Sequence, residues 1–175
     1  MVRRVAITGA GTVNPLARDV PGTFAAFQAG KVAIGPMDFL DIERLSVRIG
    51  AQIHNWDGEA RFSRQEVALF DRAVQFAVDS ARQAVAQSGL TLTDSEALRA
   101  GVVMGTGGGG NTTTDAAYRA VYAEGKNRVH PFTVPRLMHN AASAHLAMRH
   151  GLKGPSFTVS TACASSNHAM GLAFQ

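Results

Sequence analysis

Three short apolar runs, each followed by glycine or a small polar residue, restrict the fold of this chain more than any other feature. They are Val5-Ala6-Ile7, Val102-Val103-Met104 and Phe157-Thr158-Val159. Runs of this length and composition predict strands that are buried in a sheet. Residues 47–53 alternate apolar with polar or small side chains, which predicts one further strand.

Helical patterns separate these strands. The most regular pattern covers residues 64–87, where apolar side chains recur every three or four positions. Ser88-Gly89 predicts its end. Shorter helices are predicted between Asp19 and Gly30, and at three later places: residues 114–122, residues 137–149 and the segment after Cys163. Strands that alternate with helices predict a layered α/β fold.

The composition and charge exclude several classes of protein. Hydrophobic residues make up 46% of the chain and charged residues 17%, which is typical of a globular protein. The net charge of +4 comes from scattered arginines, so we expect no nucleic-acid partner. A mildly basic surface suits an acidic or phosphate-bearing partner as well as it suits plain solubility. No apolar stretch is long enough for a membrane span, so we expect no membrane partner.

The start of the chain and the cysteine count predict a compartment. Residues 1–8 lack the apolar segment of a signal peptide. Cys163 is the single cysteine, so no internal disulfide can form. Both features favour a cytoplasmic location.

Two glycine clusters resemble nucleotide-binding loops only in part. Gly9 and Gly11 follow a predicted strand, but Asn14-Pro15 stands where a dinucleotide fingerprint needs a small residue. Residues 105–110 match G-x-G-x-x-G in form, yet they lack the Gly-Lys-Ser/Thr ending of a phosphate-binding loop. We therefore expect no nucleotide cofactor. We interpret residues 105–110 as a flexible loop that passes close to other backbone.

The third cluster surrounds Cys163. A predicted strand leads into small residues and then into a predicted helix, which places Cys163 at a sharp turn beside the positive end of a helix dipole. A thiolate is favoured at such a place, and the first-turn amides can stabilise an oxyanion. The alternative for a lone cysteine is a small buried hydrophobe. The small neighbours Ala162, Ala164 and Ser165 favour the nucleophile.

Several segments in order along the chain resemble the β-ketoacyl-acyl-carrier-protein synthases of the KAS I/II class, including the ketosynthases of type II polyketide synthesis. The active-site signature of that family is similar to Val-Ser-Thr-Ala-Cys163-Ala-Ser-Ser-x-His168-x-x-Gly171. Further matches are the opening strand at residues 3–11, the long helix at 70–77, the glycine loop at 105–110, and the stretch at 131–146.

The resemblance implies a thiolase fold, two similar halves in a layered α-β-α-β-α sandwich. Residues 1–175 would be the N-terminal half, with the C-terminal half absent, and the apolar end at Leu172-Ala173-Phe174 agrees with a chain that continues. The implied enzyme is a homodimer without cofactor or metal. Its Cys163 accepts an acyl group from acyl-carrier protein, and malonyl-carrier protein then extends it. Two histidines and a lysine in the second half assist, so we expect residues 1–175 alone to be inactive.

Two departures from the family pattern enlarge the implied substrate pocket. Gly108 stands where many relatives have a bulky gating residue, and Thr133 stands where phenylalanine is common at the dimer interface. The segment at 64–69 is less basic than the usual carrier-protein surface, although Arg61 and Arg64 remain. The carrier-protein partner is therefore either that of fatty-acid synthesis or a dedicated carrier protein of a polyketide or polyene pathway. His139, His145 and His168 are interpreted as structural.

Two other functions stay open from the sequence. One is a non-catalytic chain-length partner subunit or an inert fragment, although such subunits usually replace the cysteine that this chain keeps. The other is a thiolase relative that uses coenzyme A. The residues around Cys163 and the Asp71-Arg72-Ala73 segment favour the carrier-protein branch.

Overall fold

The computed structural model describes residues 4–175. Residues 1–3, which carry the start of the chain and Arg3 of the family resemblance, lie outside the described residues. The helices are α1 (Val20–Gln28), α2 (Arg64–Leu69), α3 (Arg72–Ser88), α4 (Asp94–Ala97), α5 (Asn111–Tyr118), α6 (Thr133–Leu137), α7 (Ala141–His150) and α8 (Ser165–Phe174). The strands are β1 (Gly35–Pro36), β2 (Ile49–Gly50), β3 (Val102–Gly105) and β4 (Ser156–Val159).

Strands β3 and β4 form the centre of the fold. They pair in parallel, from Val102 opposite Ser156 to Gly105 opposite Val159, which confirms both predicted strands. Val102 and Met104 pack against the core between α3 and α7. Because side chains alternate along a strand, Gly105 faces the other side, where it meets α8. The centre is therefore a helix–sheet–helix arrangement, as the α/β prediction requires.

The main core joins α3, α7 and the loop before α2. It consists of buried apolar side chains from these segments: Phe62, Phe70, Val74, Val78, Ala141 and Leu146. Phe62 and Phe70 pack edge to face with ring centroids 5.6 Å apart. This cluster holds the two helices against one face of the β3–β4 pair.

The segment predicted as one helix over residues 64–87 consists of two helices, α2 and α3. The chain is extended at Phe70 and Asp71, so α2 ends and α3 begins anew. The Asp71 carboxylate accepts a hydrogen bond from the Ala73 amide, which makes Asp71 the N-cap of α3. The apolar residues keep their helical spacing across Asp71, so the sequence pattern does not indicate a break there. The predicted end is confirmed, because Gly89 adopts a left-handed conformation with φ 63°.

The prediction of a buried strand at Val5-Ala6-Ile7 is wrong. This segment forms no strand, and Val5 and Ile7 are 57% and 90% exposed. A strand needs a ladder partner, and the backbone just beyond it bonds to side chains instead. The Ala10 and Thr12 amides donate to Gln87 and Gln83 of α3.

The strand predicted at residues 47–53 shrinks to Ile49–Gly50. Its partner β1 is two residues long, and Pro36, which stands opposite Ile49, has no amide hydrogen to donate. Beyond Pro36 only one further backbone bond joins the two segments, from the Met37 amide to the Arg48 carbonyl at 3.0 Å.

The shorter helices differ from prediction mainly at their starts. Helix α1 follows its predicted cap, Asp19, and ends before Gly30. The helix predicted at 114–122 begins at Asn111 and continues as a π-helical turn, Arg119–Ala123. The helix predicted at 137–149 is two helices, α6 and α7, and α7 ends at Gly151 as expected. Within residues 4–175, no helix is long and apolar enough to cross a membrane.

Candidate active site

Cys163 lies in a single 3₁₀ turn, Ala162–Ala164, between the end of β4 and the start of α8. The cysteine is exposed, so it is not the small buried hydrophobe of the alternative interpretation. The predicted strand-to-helix turn is confirmed. Helix α8 has no acidic residue in its first turn, so nothing there offsets the positive end of the helix dipole beside the sulfur.

A hydrogen-bonded ring fixes the backbone around Cys163. The Thr161 amide donates to Ser165 Oγ at 2.9 Å, and Ser165 Oγ donates to the Ala162 carbonyl at 2.7 Å. Ser165 is 3% exposed, which protects both bonds from water. Ala162 has φ 48°, a left-handed conformation that costs about 1–3 kcal/mol for a residue other than glycine. Strain of this kind persists only where the surroundings over-determine it, and the Ser165 bonds do so here.

The glycine loop lies directly beside this turn. A Cβ atom at Gly105 would lie 2.3 Å from the Ser165 carbonyl oxygen, which is too close for any side chain. A Cβ atom at Gly107 would lie 3.7 Å from the Ala162 oxygen. The predicted close approach of residues 105–110 to other backbone is therefore confirmed. The absence of side chains lets the end of β3 reach the first turn of α8.

No hydrogen bond joins Cys163 to His139, His145 or His168, all of which lie within the described residues. His168 Nδ1 lies 3.0 Å from Thr161 Oγ1, which supports its structural interpretation. The His145 ring packs on Phe70 with centroids 4.6 Å apart. Burial lowers the pKa of His145, and the Glu66 carboxylate opposes this to a smaller extent. His139 is exposed and lines a cavity beside the glycine loop.

Gly108 borders a cavity of about 190 Å³ between α3, the glycine loop and α7. Thr106 Oγ1 donates to the Gly108 carbonyl and accepts from the Gly108 amide at 3.3 Å, which fixes the turn of the loop. A Cβ atom at Gly108 would meet only the Asn111 amide group, at 3.4 Å. The residues that line this cavity do not include Cys163.

Thr133 does not line the cavity at Gly108. It is buried, its hydroxyl donates to the His130 carbonyl at 2.6 Å, and it lines a separate cavity of about 290 Å³ beside α5. The structure therefore does not bring Gly108, Thr133 and Cys163 to one cavity. Their predicted role as pocket residues stays a prediction.

Sequence reasoning missed the role of Asp71. Its side chain is 2% exposed, and one carboxylate oxygen accepts bonds from the Thr113 amide at 2.8 Å and the Thr113 hydroxyl at 2.7 Å. The same carboxylate caps α3, so Asp71 ties α3 to α5, the helix that follows the glycine loop. An aspartate before a helix was a usable signal for the cap, but nothing in the sequence indicates Thr113 as its partner.

The two basic residues expected at the carrier-protein surface differ in availability. The Arg61 guanidinium lies 3.1 Å from the Asp79 carboxylate and stacks 4.7 Å from the Trp56 ring centroid. Arg64 is exposed at the first position of α2. Arg61 is therefore partly engaged inside the fold, through one ion pair and one stacking contact, whereas Arg64 forms neither with any described residue.

The layered arrangement and the exposed cysteine at a strand-to-helix turn agree with the class of thiolase-fold proteins. Residues 2–175 match the family model described as "Beta-ketoacyl synthase, N-terminal domain". The chain therefore belongs to the β-ketoacyl synthase family.

Relatives agree with this assignment. The chain is 38% identical over 170 residues to "Nodulation protein E" of Rhizobium sp. (strain N33), which covers 97% of this chain and 42% of that protein. It is 35% identical over 169 residues to "3-oxoacyl-[acyl-carrier-protein] synthase 2" of Coxiella burnetii (strain RSA 493 / Nine Mile phase I), covering 97% of this chain and 41% of that one. The chain thus spans less than half the length of these relatives.

A solved structure shows the same fold. The crystal structure of a β-ketoacyl synthase from Burkholderia phymatum STM815 superposes with a TM-score of 0.78 at 24% identity. The match covers 99% of this chain and 43% of that one.

Proposed function

We propose that the whole protein carrying this sequence elongates an acyl chain by decarboxylative condensation with malonyl-acyl-carrier protein, with Cys163 as the nucleophile. The observation that carries the proposal is the exposed Cys163 in a turn that Ser165 fixes at the start of α8. A side chain held this way can be approached by a thioester without rearrangement of the turn. The product is a β-ketoacyl-carrier protein, an intermediate of fatty-acid synthesis or of a polyketide or polyene pathway.

The reaction proceeds in two transfers. The Cys163 sulfur attacks the thioester carbonyl of the acyl-carrier protein, and the carrier thiol leaves with the proton that Cys163 loses. Malonyl-carrier protein then loses carbon dioxide, and the electrons of the broken C–C bond form an enolate. The enolate carbon attacks the Cys163 thioester, the C–S bond breaks, and the Cys163 thiolate is regenerated. The chain is two carbons longer and stays on the carrier.

Several parts of the proposal come from the family resemblance. Residues 1–175 form the N-terminal half of the synthase, the enzyme is a cytoplasmic homodimer, and acyl-carrier protein is its partner. The name of the Coxiella burnetii relative includes such a carrier. Two histidines and a lysine of the C-terminal half assist decarboxylation, and no cofactor or metal takes part. Arg64 is the better candidate for carrier contact, because Arg61 is paired with Asp79.

The test is a condensation assay on the whole protein with separate donors. Acyl-carrier protein and acyl-coenzyme A are each offered with malonyl-carrier protein, and the β-ketoacyl product and carbon dioxide are measured. We expect product with the carrier-bound donor and none with Cys163→Ala. Ser166→Ala is the matched control, because Ser166 is an exposed neighbour of the turn. Product only with the acyl-coenzyme A donor would favour a relative that takes its acyl group from coenzyme A, and no product with either donor would favour a non-catalytic subunit.

A further inference from the structure

Ser165 lies directly after the turn that contains Cys163, at the first position of α8. We propose that Ser165 is a positioning residue for Cys163, because its hydroxyl fixes the backbone from which the sulfur projects. The inference rests on the proposed role of Cys163 as the nucleophile. It adds a second residue to the site, one that acts on the sulfur only through the backbone of the turn.

The Ser165 hydroxyl bonds backwards along the chain, to the two residues that precede Cys163. It accepts from the Thr161 amide at 2.9 Å and donates to the Ala162 carbonyl at 2.7 Å. A serine that caps a helix accepts instead from an amide two or three positions further on. Helix α8 has no such side-chain cap at its N-cap, Ala164. The hydroxyl therefore serves the turn rather than the free amides of the helix.

These bonds act on the one strained residue of the turn. Ala162 has φ 48°, which residues other than glycine seldom adopt. Its carbonyl accepts from the Ser165 backbone amide as well as from the Ser165 hydroxyl. Cys163 follows Ala162 directly, so a return of Ala162 to a negative φ would rotate the peptide that carries Cys163. The side chain of Cys163 would then point in another direction.

Ser165 is itself held firmly enough to position another residue. It is 3% exposed, and a Cβ atom on Gly105 would lie 2.3 Å from the Ser165 carbonyl oxygen, so the end of β3 packs directly on its backbone. Thr161 has a second bond to α8, because its Oγ1 lies 3.0 Å from His168 Nδ1. All of these contacts join described residues of this chain, so none of them requires a second subunit.

The alternative is that Ser165 contributes only to stability. A serine hydroxyl often bonds the carbonyl three residues before it, without any effect on a neighbouring side chain. Substitution of Ala162 separates the two roles, since glycine adopts a positive φ without strain. If Ser165 holds Ala162 in place, Ala162→Gly should restore what Ser165→Ala loses. If Ser165 only stabilises α8, the effects of the two substitutions should add.

Alkylation of Cys163 by iodoacetamide in the whole protein measures the effect without any carrier protein. We expect the rate constant in Ser165→Ala to fall about threefold to tenfold, because the sulfur loses its fixed place beside the positive end of α8. In the condensation assay, kcat should fall about tenfold or more with KM unchanged, because the nucleophile is misplaced while substrate binding is not. Ser166→Ala is the matched control, since Ser166 is exposed, and both rates should stay unchanged.

The double variant, Ala162→Gly with Ser165→Ala, decides between the two roles. We expect it to regain most of the lost alkylation rate, and to fold even if Ser165→Ala alone does not. The inference is overturned if Ser165→Ala is alkylated like Ser166→Ala, if it raises KM alone, if Ala162→Gly adds to the loss, or if neither variant folds. Absence of condensation in the unaltered protein, with the expected alkylation rates, would reject the proposed function and leave the role of Ser165 intact.

Discussion

The region from residue 4 to residue 55 and the region from residue 62 to residue 175 differ in how their apolar residues are used. In the first region only Ala26 is buried, while Ile7, Val32 and Leu40 are largely exposed. The second region contains the whole apolar cluster around Val78 and the parallel β3–β4 pair. The Cys163 turn depends on contacts within the second region alone. The comparison teaches that the buried apolar cluster behind the proposed site draws its side chains from the second region, whereas the first region is attached to α3 through hydrogen bonds such as those to Gln83 and Gln87.

The largest expected difference in stability between the two regions comes from substituting one glycine in each. In Gly105→Val the new side chain meets the backbone of Ser165 and Ser166, neither of which can yield without moving α8. We expect a loss of about 3 kcal/mol in the free energy of unfolding, measured with urea on the whole protein. Gly35→Ala in β1 is the control, because nothing lies within 4 Å of its added Cβ. Equal losses from the two variants would contradict the close contact of β3 with α8.

The two aspartate caps give the second test. Asp71→Ala leaves the Thr113 amide and hydroxyl without a partner in a buried place, which should cost about 2–3 kcal/mol. Asp19→Ala removes an exposed cap of α1 and should cost about 1 kcal/mol. Both values come from urea unfolding of the whole protein. A cost for Asp71→Ala no larger than that for Asp19→Ala would show that the tie between α3 and α5 contributes little.

Gly108 tests whether the second region also provides the substrate pocket. Gly108→Phe fills the cavity of about 190 Å³ beside the glycine loop, and packed side chains resist compression. We expect kcat/KM for long acyl chains to fall about tenfold or more, with a smaller effect on short chains. The measurement is a series of acyl chain lengths in the condensation assay. An unchanged length profile would mean that residue 108 does not line the acyl tunnel.

The smallest expected effect concerns acid stability. Hydrogen bonds from Ser63, first from its amide and then from its hydroxyl, lower the pKa of Glu66, and Arg149 adds to this. A lowered pKa in the folded state stabilises the protein above the unfolded pKa, and this contribution is lost as the pH falls through the folded pKa. Glu66→Gln should therefore flatten the acid limb of the stability profile below about pH 4.3. An identical acid limb in wild type and Glu66→Gln would contradict the role of the capping box.

The sequence predicted the second region better than the first, and the reason is physical. The turn at Cys163, the strands at residues 102 and 157, and the end at Gly89 depend on local residue chemistry that a sequence displays. Val5-Ala6-Ile7 has the composition of a strand, but a strand also needs a neighbour, and none of the described strands pairs with it. The bond between Asp71 and Thr113 joins residues 42 positions apart, which no local pattern indicates.

The central claim is that Cys163 carries the acyl group. Mass spectrometry of peptides from the whole protein, after reaction with acyl-carrier protein and before malonyl-carrier protein is added, tests this directly. We predict one acyl modification on the peptide that contains Cys163, and none in Cys163→Ala. Full acylation of Cys163→Ala, or a modification that maps to another residue, would contradict the account.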